Sequence, residues 1–422
     1  MGGFLKAANT PLMASSASSA RELTAFTVFS TIKTTTLADR LTPEEEPVQP
    51  LGRRPLIVLW DPYLTVYFDR FASDNTSVVL PCPYECEYSL DRKRGEEADI
   101  RLFHQRILDP DHLPPPRADG RFLNVAMNPE PPYMKHPHVM RVHKLGVPLN
   151  FFNATATYRS TSEVYYPYNL FVPRDGSESE KEVWTEEQIE EKLGAKRKVS
   201  LIAMSNCDAQ SKRHEYVSAL AAHIEVTRVG RCNGTFECPK NRDLKGRLKK
   251  TNCMKELIDS HFFYLAFENS VCPEYVTEKF WRVKELIVPV VLSRAVMPPH
   301  IPADTFIAAS DFATPAALAA HLRWLIAHPQ EYRKYFNWTK RYRRSSLSRA
   351  EVNGSCQLCK LAHRQIEHLV PEYEGLRECI RDYALNLLTN TPDEINNVHD
   401  HEKRMGELMA RTYRPRSLGR IL

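Results

Sequence analysis

Between positions 268 and 279 the chain carries Glu268, Asn269, Tyr275, Glu278 and Lys279. Two carboxylates, an amide, a phenol and an ammonium in one short stretch offer donors and acceptors of both charges, a set that suits a ligand bearing hydroxyls and phosphates. Arg213 stands upstream in a Lys-Arg-His-Glu stretch that reads as the opening of a helix. A helix N-terminus presents unpaired backbone N–H groups to an anion, and a guanidinium grips phosphate through two parallel hydrogen bonds, so Arg213 there suits a diphosphate. Taken alone, such an arginine is more often an exposed helix residue, and each polar residue of the 268–279 stretch by itself reads as surface loop.

Those side chains need elements that bring them together. Residues 262–267 form a short apolar and aromatic run, the pattern of a strand covered on both faces, and Thr277 is placed to cap a helix over residues 277–286. The polar cluster then falls at a strand's carboxyl end, where an open α/β sheet binds its ligand. A strand at 199–203, a helix at 211–223 and a strand at 225–229 make a βαβ unit, preceded by a charged helix at 185–193. Strands at 287–292 and 306–309 and a helix at 315–327 continue the pattern. Earlier in the chain, strands are expected at 55–60, 98–103 and 122–127, each bounded by turn or polar residues.

Phe267-Glu268-Asn269-Ser270, a short spacer, and Tyr275-Val276-Thr277-Glu278-Lys279-Phe280-Trp281 closely resemble the signature of the α1,3-fucosyltransferase family. Ser205-Asn206 followed by Arg213 is similar to a second segment of that family. Val288-Pro289-Val290-Val291-Leu292, Ile301-Pro302-Ala303-Asp304-Thr305-Phe306-Ile307 and Tyr335-Phe336-Asn337-Trp338 continue in family order, so the similarity spans about residues 55–380. The resemblance implies an α/β protein of the GT-B type, with two Rossmann-like domains facing a central cleft. It implies an inverting glycosyltransferase that moves L-fucose from GDP-fucose in α1,3 linkage to an N-acetylglucosamine residue of a glycan. By the same resemblance Arg213 and Lys279 contact the diphosphate, Glu278 takes ribose hydroxyls, and Asn269 and Tyr275 line the donor pocket. Two fixed cations would lower the cost of the charge that develops on phosphate as GDP departs. No metal is obligatory for such a site, and Mn2+ enters at most as a stimulant. Glu268 fits ligand contact or bonding to neighbouring backbone.

The acceptor side is implied to come from the first domain. Phe152-Asn153-Ala154-Thr155-Ala156-Thr157-Tyr158-Arg159 and Pro167-Tyr168 match the family, whereas Met127-Asn128-Pro129-Glu130-Pro131-Pro132 departs from its Glu-Ser-Pro segment. In the family that glutamate is the proposed general base. Direct alignment puts Asn128 on its position, and a shift of two residues puts Glu130 there. An amide cannot accept the proton usefully and a carboxylate in a cleft can, so Glu130 is the expected base. The structural alternative is an Asn-Pro-Glu-Pro turn with a solvated glutamate, which would leave a weakened enzyme or an inactive glycan- or GDP-binding relative; a fucosyltransferase of different linkage is the other alternative. His104 is a candidate acceptor contact, and a lone histidine at a strand end is more often a hydrogen-bonded structural residue. Asp109-Pro110-Asp111 reads as a turn in a Pro-rich connector, not as a metal site.

Composition agrees with two ordinary domains: 422 residues, 42% hydrophobic and 26% charged. A formal charge of +5 is too slight to argue for nucleic acid and is compatible with an anionic sugar nucleotide. Ten cysteines and five Asn-x-Ser/Thr acceptors, at Asn75, Asn153, Asn233, Asn337 and Asn353, fit a secretory lumen. Cys82 with Cys86, Cys232 with Cys238, and Cys356 with Cys359 are the closely spaced cysteines. None has the spacing of a zinc finger, and the resemblance favours disulfides that tie the domains together, with connectivity open. No segment has the roughly 18 to 20 uninterrupted apolar residues of a membrane helix. A Golgi luminal location as a type II membrane protein is therefore implied by the resemblance, without an evident anchor. The expected division is a stem at 1–52, an acceptor-side α/β domain at 53–195, a GDP-fucose-binding Rossmann-like domain at 196–380 and an extension at 381–422.

Overall fold

The computed structural model describes residues 52–61, 64, 84–105, 107–114, 123–131, 151–232, 238, 252–344, 354–364, 379 and 383–389. The first sheet is built from Leu56–Leu59 (β1), Glu87–Ser89 (β2), Ile100–His104 (β3), Leu123–Asn128 (β4), Ala154–Thr157 (β5) and Val164–Tyr165 (β6). All pair in parallel in the order β2-β1-β3-β4-β5-β6. Successive strand residues point to opposite faces. Ile57, Leu59, Ile100, Leu102, Val125 and Met127 pack in one core, while Leu56, Val58 and Phe103 face another with Trp60 and Leu108. Burial on both faces is why β1 and the apolar part of β3 read as continuous apolar runs.

The second sheet follows Glu186–Gly194 (α1). It consists of Lys198–Ala203 (β7), Val226–Val229 (β8), His261–Leu265 (β9), Val288–Val291 (β10) and Ile307–Ala308 (β11), parallel in the order β11-β10-β9-β7-β8. Its helices are Arg213–Ala221 (α2), Cys253–Ser260 (α3), Pro315–Ala327 (α4) and Pro329–Lys334 (α5), and Gly354–His363 (α6) and Tyr383–Thr389 (α7) come later in the chain. In both sheets the strand order reverses once, between β1 and β3 and between β7 and β9, and the carboxyl ends beside such a reversal form a ligand crevice. Two parallel sheets of this kind are the GT-B-type α/β architecture expected from the sequence.

The predicted helix over residues 277–286 is instead a single 3-10 segment, Phe280–Glu285, with Lys279 as its N-cap. Thr277 is not its N-cap: its N–H and hydroxyl are given to Glu268, and its hydroxyl oxygen accepts from the Lys279 ammonium at 2.8 Å. Leu286, left-handed at φ 61°, then ends the segment and turns the chain into β10. The helix expected from residue 211 begins at Arg213, because Lys212 has φ 54° and a left-handed residue cannot continue a right-handed helix.

Helix α6 returns to the first sheet. Leu358, Leu361 and Ala362 join the core beneath β1, β3 and β4, Gln357 accepts the Tyr165 N–H at 2.8 Å, and Cys359 is bonded to Cys86. The closely spaced cysteines are thus not bonded to one another. The pairs are Cys86–Cys359, Cys207–Cys232, Cys238–Cys253 and Cys272–Cys379; Cys356 is also disulfide-bonded, and Cys82 lies outside the described residues. The sulfurs of Cys86 and Cys359 lie near a nitrogen of His363, but both are spent in a disulfide and offer no thiolate to a metal. Among the described residues no helix is long and apolar enough to cross a membrane. Asn153 and Asn337 are described, whereas Asn75, Asn233 and Asn353 are not.

Candidate active site

The signature segment leaves the carboxyl end of β9 at the reversal point of the second sheet. Glu268 is buried there and accepts the Thr277 N–H at 2.8 Å and the Thr277 hydroxyl at 2.7 Å. Lys279 adds an ion pair to Glu268 at 3.0 Å, so this carboxylate ties the two ends of the signature together. Burial works against the Lys279 ammonium, but Glu268 and Glu278 outweigh it and hold its pKa above the ordinary lysine value. The Lys279 side chain is 16% exposed and that of Glu278 is 61% exposed, so Glu278 reaches solvent while pairing with Lys279 at 3.0 Å.

Arg213 is the first residue of α2 and only 3% exposed. Its Nη1 donates to the Phe267 carbonyl at 2.6 Å, while its buried Nε has no hydrogen-bond partner among the described residues. Burial pulls the guanidinium below its usual value against the pull of Glu268, and an arginine nonetheless stays charged. Ser211 laces this helix start to the signature, donating its N–H to the Asn269 carbonyl at 3.0 Å and its hydroxyl to the Glu268 carbonyl at 2.7 Å. Arg213, Asn269, Glu278 and Lys279, expected from sequence to share one site, therefore belong to one connected cluster.

Tyr275 lies close enough to Arg213 and Glu268 to interact electrostatically with both, and it also reaches the first sheet. Its hydroxyl donates to Glu130 Oε2 at 2.8 Å, and its ring packs 5.0 Å from that of Tyr158. The hydroxyl of Tyr168 lies 3.2 Å from Glu130 Oε1 and 3.0 Å from the Pro129 carbonyl. Glu274, at φ 61°, fixes the approach by accepting the Ser160 N–H and hydroxyl, both at 2.9 Å. Asn128 is 2% exposed, and its Oδ1 accepts the Glu130 N–H at 3.1 Å. That hydrogen bond makes Asn128 the closure of a turn, and the turn carries Glu130 to the second sheet's signature.

His104 lies at the end of β3, buried, with its N–H donated to Asp61 Oδ2 at 2.8 Å. Asp61 directly follows the β1 run at the first sheet's reversal point, and burial raises its carboxyl pKa against the His104 N–H and Arg92. In the sequence Asp61 is marked only as a lone carboxylate immediately after an apolar run. Asp109 caps a short 3-10 turn by accepting the Asp111 N–H at 3.1 Å, the turn expected of Asp109-Pro110-Asp111. A small pocket of about 20 Å³ under the signature, touched by Glu268, Ser270, Tyr275 and Ser293, is large enough to hold a water.

Two family profiles match in succession: "Fucosyltransferase, N-terminal" over residues 52–169, and "Glycosyltransferase family 10 (fucosyltransferase) C-term" over residues 193–376. A Homo sapiens 3-galactosyl-N-acetylglucosaminide 4-alpha-L-fucosyltransferase is 32% identical over 285 residues, 66% of this chain and 71% of the relative. The chain belongs to the α1,3-fucosyltransferase family. As a member of glycosyltransferase family 10 it is also similar to a Caenorhabditis elegans alpha-(1,3)-fucosyltransferase, 26% identical over 348 residues, 79% of this chain and 72% of that one. A human 4-galactosyl-N-acetylglucosaminide 3-alpha-L-fucosyltransferase is 31% identical over 315 residues, 72% of this chain and 78% of the relative. A crystal structure of an alpha1,3-fucosyltransferase with GDP aligns over 77% of this chain and 95% of its own, with a TM-score of 0.44 and 14% identity.

Proposed function

We propose that this fucosyltransferase moves L-fucose from GDP-fucose in α1,3 linkage to an N-acetylglucosamine hydroxyl of a glycoprotein or glycolipid glycan, with inversion at the anomeric carbon. The observation that carries the reading is the 2.8 Å hydrogen bond from Tyr275 to Glu130, which sets a carboxylate of the first sheet against the signature of the second. In this reading Glu130 takes the proton of the acceptor hydroxyl as that oxygen attacks the anomeric carbon. The carbon–oxygen bond to phosphate breaks with its electron pair leaving on GDP. Attack from the face opposite the departing GDP inverts the centre. Arg213 and Lys279 hold the diphosphate and steady the developing charge, Glu278 takes ribose hydroxyls, and Asn269 lines the donor pocket. No step needs a metal, and Mn2+ is left a stimulating role. The disulfides support residence in an oxidising lumen, which we take to be that of the Golgi, at its membrane. We place the acceptor-side domain at 53–195 and the donor-side domain at 196–380.

The experiment is incubation with GDP-fucose and a mixed panel of N-glycan and N-acetyllactosamine acceptors, with and without Mn2+, products being read by mass and by α1,3-specific fucosidase. Glu130→Gln is expected to cut transfer by roughly 10²-fold or more with GDP binding intact, whereas Asn128→Asp retains transfer. The turn-closing hydrogen bond from Glu130 to Asn128 favours a second reading, a relative that binds glycan or GDP without transfer. GDP binding with no product from any acceptor would decide for it.

A further inference from the structure

We infer that the segment carrying Cys379 and helix α7 is a working part of the donor site, positioning Arg213 and Asn269 through Ser211. This deepens the donor-site reading above and rests on it. The match to the family profile ends at residue 376, just before this segment. Three contacts nevertheless fasten it to that site. Cys379 is bonded to Cys272, which sits in the spacer between Ser270 and Glu274. The Ala384 N–H donates to the Ser211 carbonyl at 2.9 Å. Tyr383 and Ala384 are buried in the same apolar core as Tyr216, Val217 and Leu220 of α2 and Phe267 of the signature.

Ser211 is the meeting point of these contacts, and it is 0% exposed. Its N–H and hydroxyl serve the signature at Asn269 and Glu268, and its carbonyl is satisfied by α7. Two residues later the chain, turned by left-handed Lys212, presents Arg213. A buried carbonyl that loses its donor drives local rearrangement, and here the rearranging residue sets both the start of α2 and the backbone at Asn269. Loosening α7 should therefore weaken the grip on the donor while leaving the acceptor side as it was. Ser211, Ala384 and the Cys272–Cys379 bridge act through Arg213 and Asn269 and are positioning residues.

The test uses the full chain, with GDP as the probe in calorimetry and with amide exchange of residues 205–216 followed in the absence of ligand. Ala384→Pro removes the N–H at a helix's first turn, where proline is tolerated, and Ala384→Gly restores it. Cys272→Ala combined with Cys379→Ala cuts the tether independently. The proline and double-cysteine variants should bind GDP about tenfold more weakly and exchange faster over residues 205–216. They should raise KM for GDP-fucose with the acceptor KM unchanged, and the glycine variant should behave as wild type. Should the proline variant fail to fold, the double-cysteine variant decides. GDP binding within about twofold of wild type in the folded variants overturns the inference and leaves the donor-site reading standing. A wild-type chain that does not bind GDP overturns both.

Discussion

A cation that grips a phosphate works through geometry as much as charge, and a substitution at Arg213 separates the two. Its Nη1 is committed to the Phe267 carbonyl, and its Nε remains as a buried donor without a partner among the described residues. Lysine in its place keeps the charge and loses the planar fork. Arg213→Lys should therefore weaken GDP binding by about tenfold or more, the loss of a charge-assisted hydrogen bond, and calorimetry that finds unchanged affinity would rule out the diphosphate role. Arg213 was legible in the sequence because its distance from Ser205-Asn206 matched a family segment. Glu130 was legible as the nearest carboxylate to a displaced position, but its two tyrosine partners come from elsewhere in the chain. Ser211 was not legible at all, because two of its three contacts use backbone atoms, and backbone donors and acceptors are the same in every residue type apart from proline.

Elements with strong local signals were read well. Helix α1 begins at Thr185 with reciprocal bonds to Gln188, and α4 begins with Thr314 and then Pro315. Strands β2, β5 and β6, of three, four and two residues, are too short to show a period, and they hold their places through pairing with longer neighbours. The return of α6 to the first sheet was likewise hidden, since contact between residues far apart in sequence leaves no local pattern. One residue nonetheless marks it. A Cβ on Gly354 would lie 2.0 Å from Cδ2 of Tyr166, a ring fully enclosed by the first core, so α6 can enter only with glycine there. Gly354→Ala should lower stability by about 1–3 kcal/mol through overpacking. The measurement is the urea midpoint at constant slope, and an unchanged midpoint would mean that α6 shifts without cost.

Across the whole molecule, two buried ammonium groups should set how stability responds to alkali. Lys196 donates to the His261 carbonyl at 2.8 Å, at the base of the second sheet. Lys284 donates to Asn169 at 3.1 Å and to the Leu170 carbonyl at 2.7 Å, beside the rings of Phe171 and Trp281, and so binds the second sheet to the chain leaving the first. Burial pushes each down to about 7. Unfolded lysines hold their protons to about pH 10.4, so between pH 7 and 10 the unfolded chain binds more protons and stability rises with pH. Each lysine contributes at most about 1.4 kcal/mol per pH unit over that window. His300 has the same sign lower down, since burial takes it from 6.5 to about 4. Tyr88, Tyr216 and Tyr275 oppose the trend only above about pH 10, where tyrosines of the unfolded chain ionise and the buried ones, raised by burial, do not. The urea midpoint at pH 9 should therefore exceed that at pH 7, and the difference should shrink in a chain carrying Lys196→Met with Lys284→Met. A wild-type midpoint that stays flat or falls between those values would show that the carbonyl partners and ring faces keep both ammoniums charged in the folded chain.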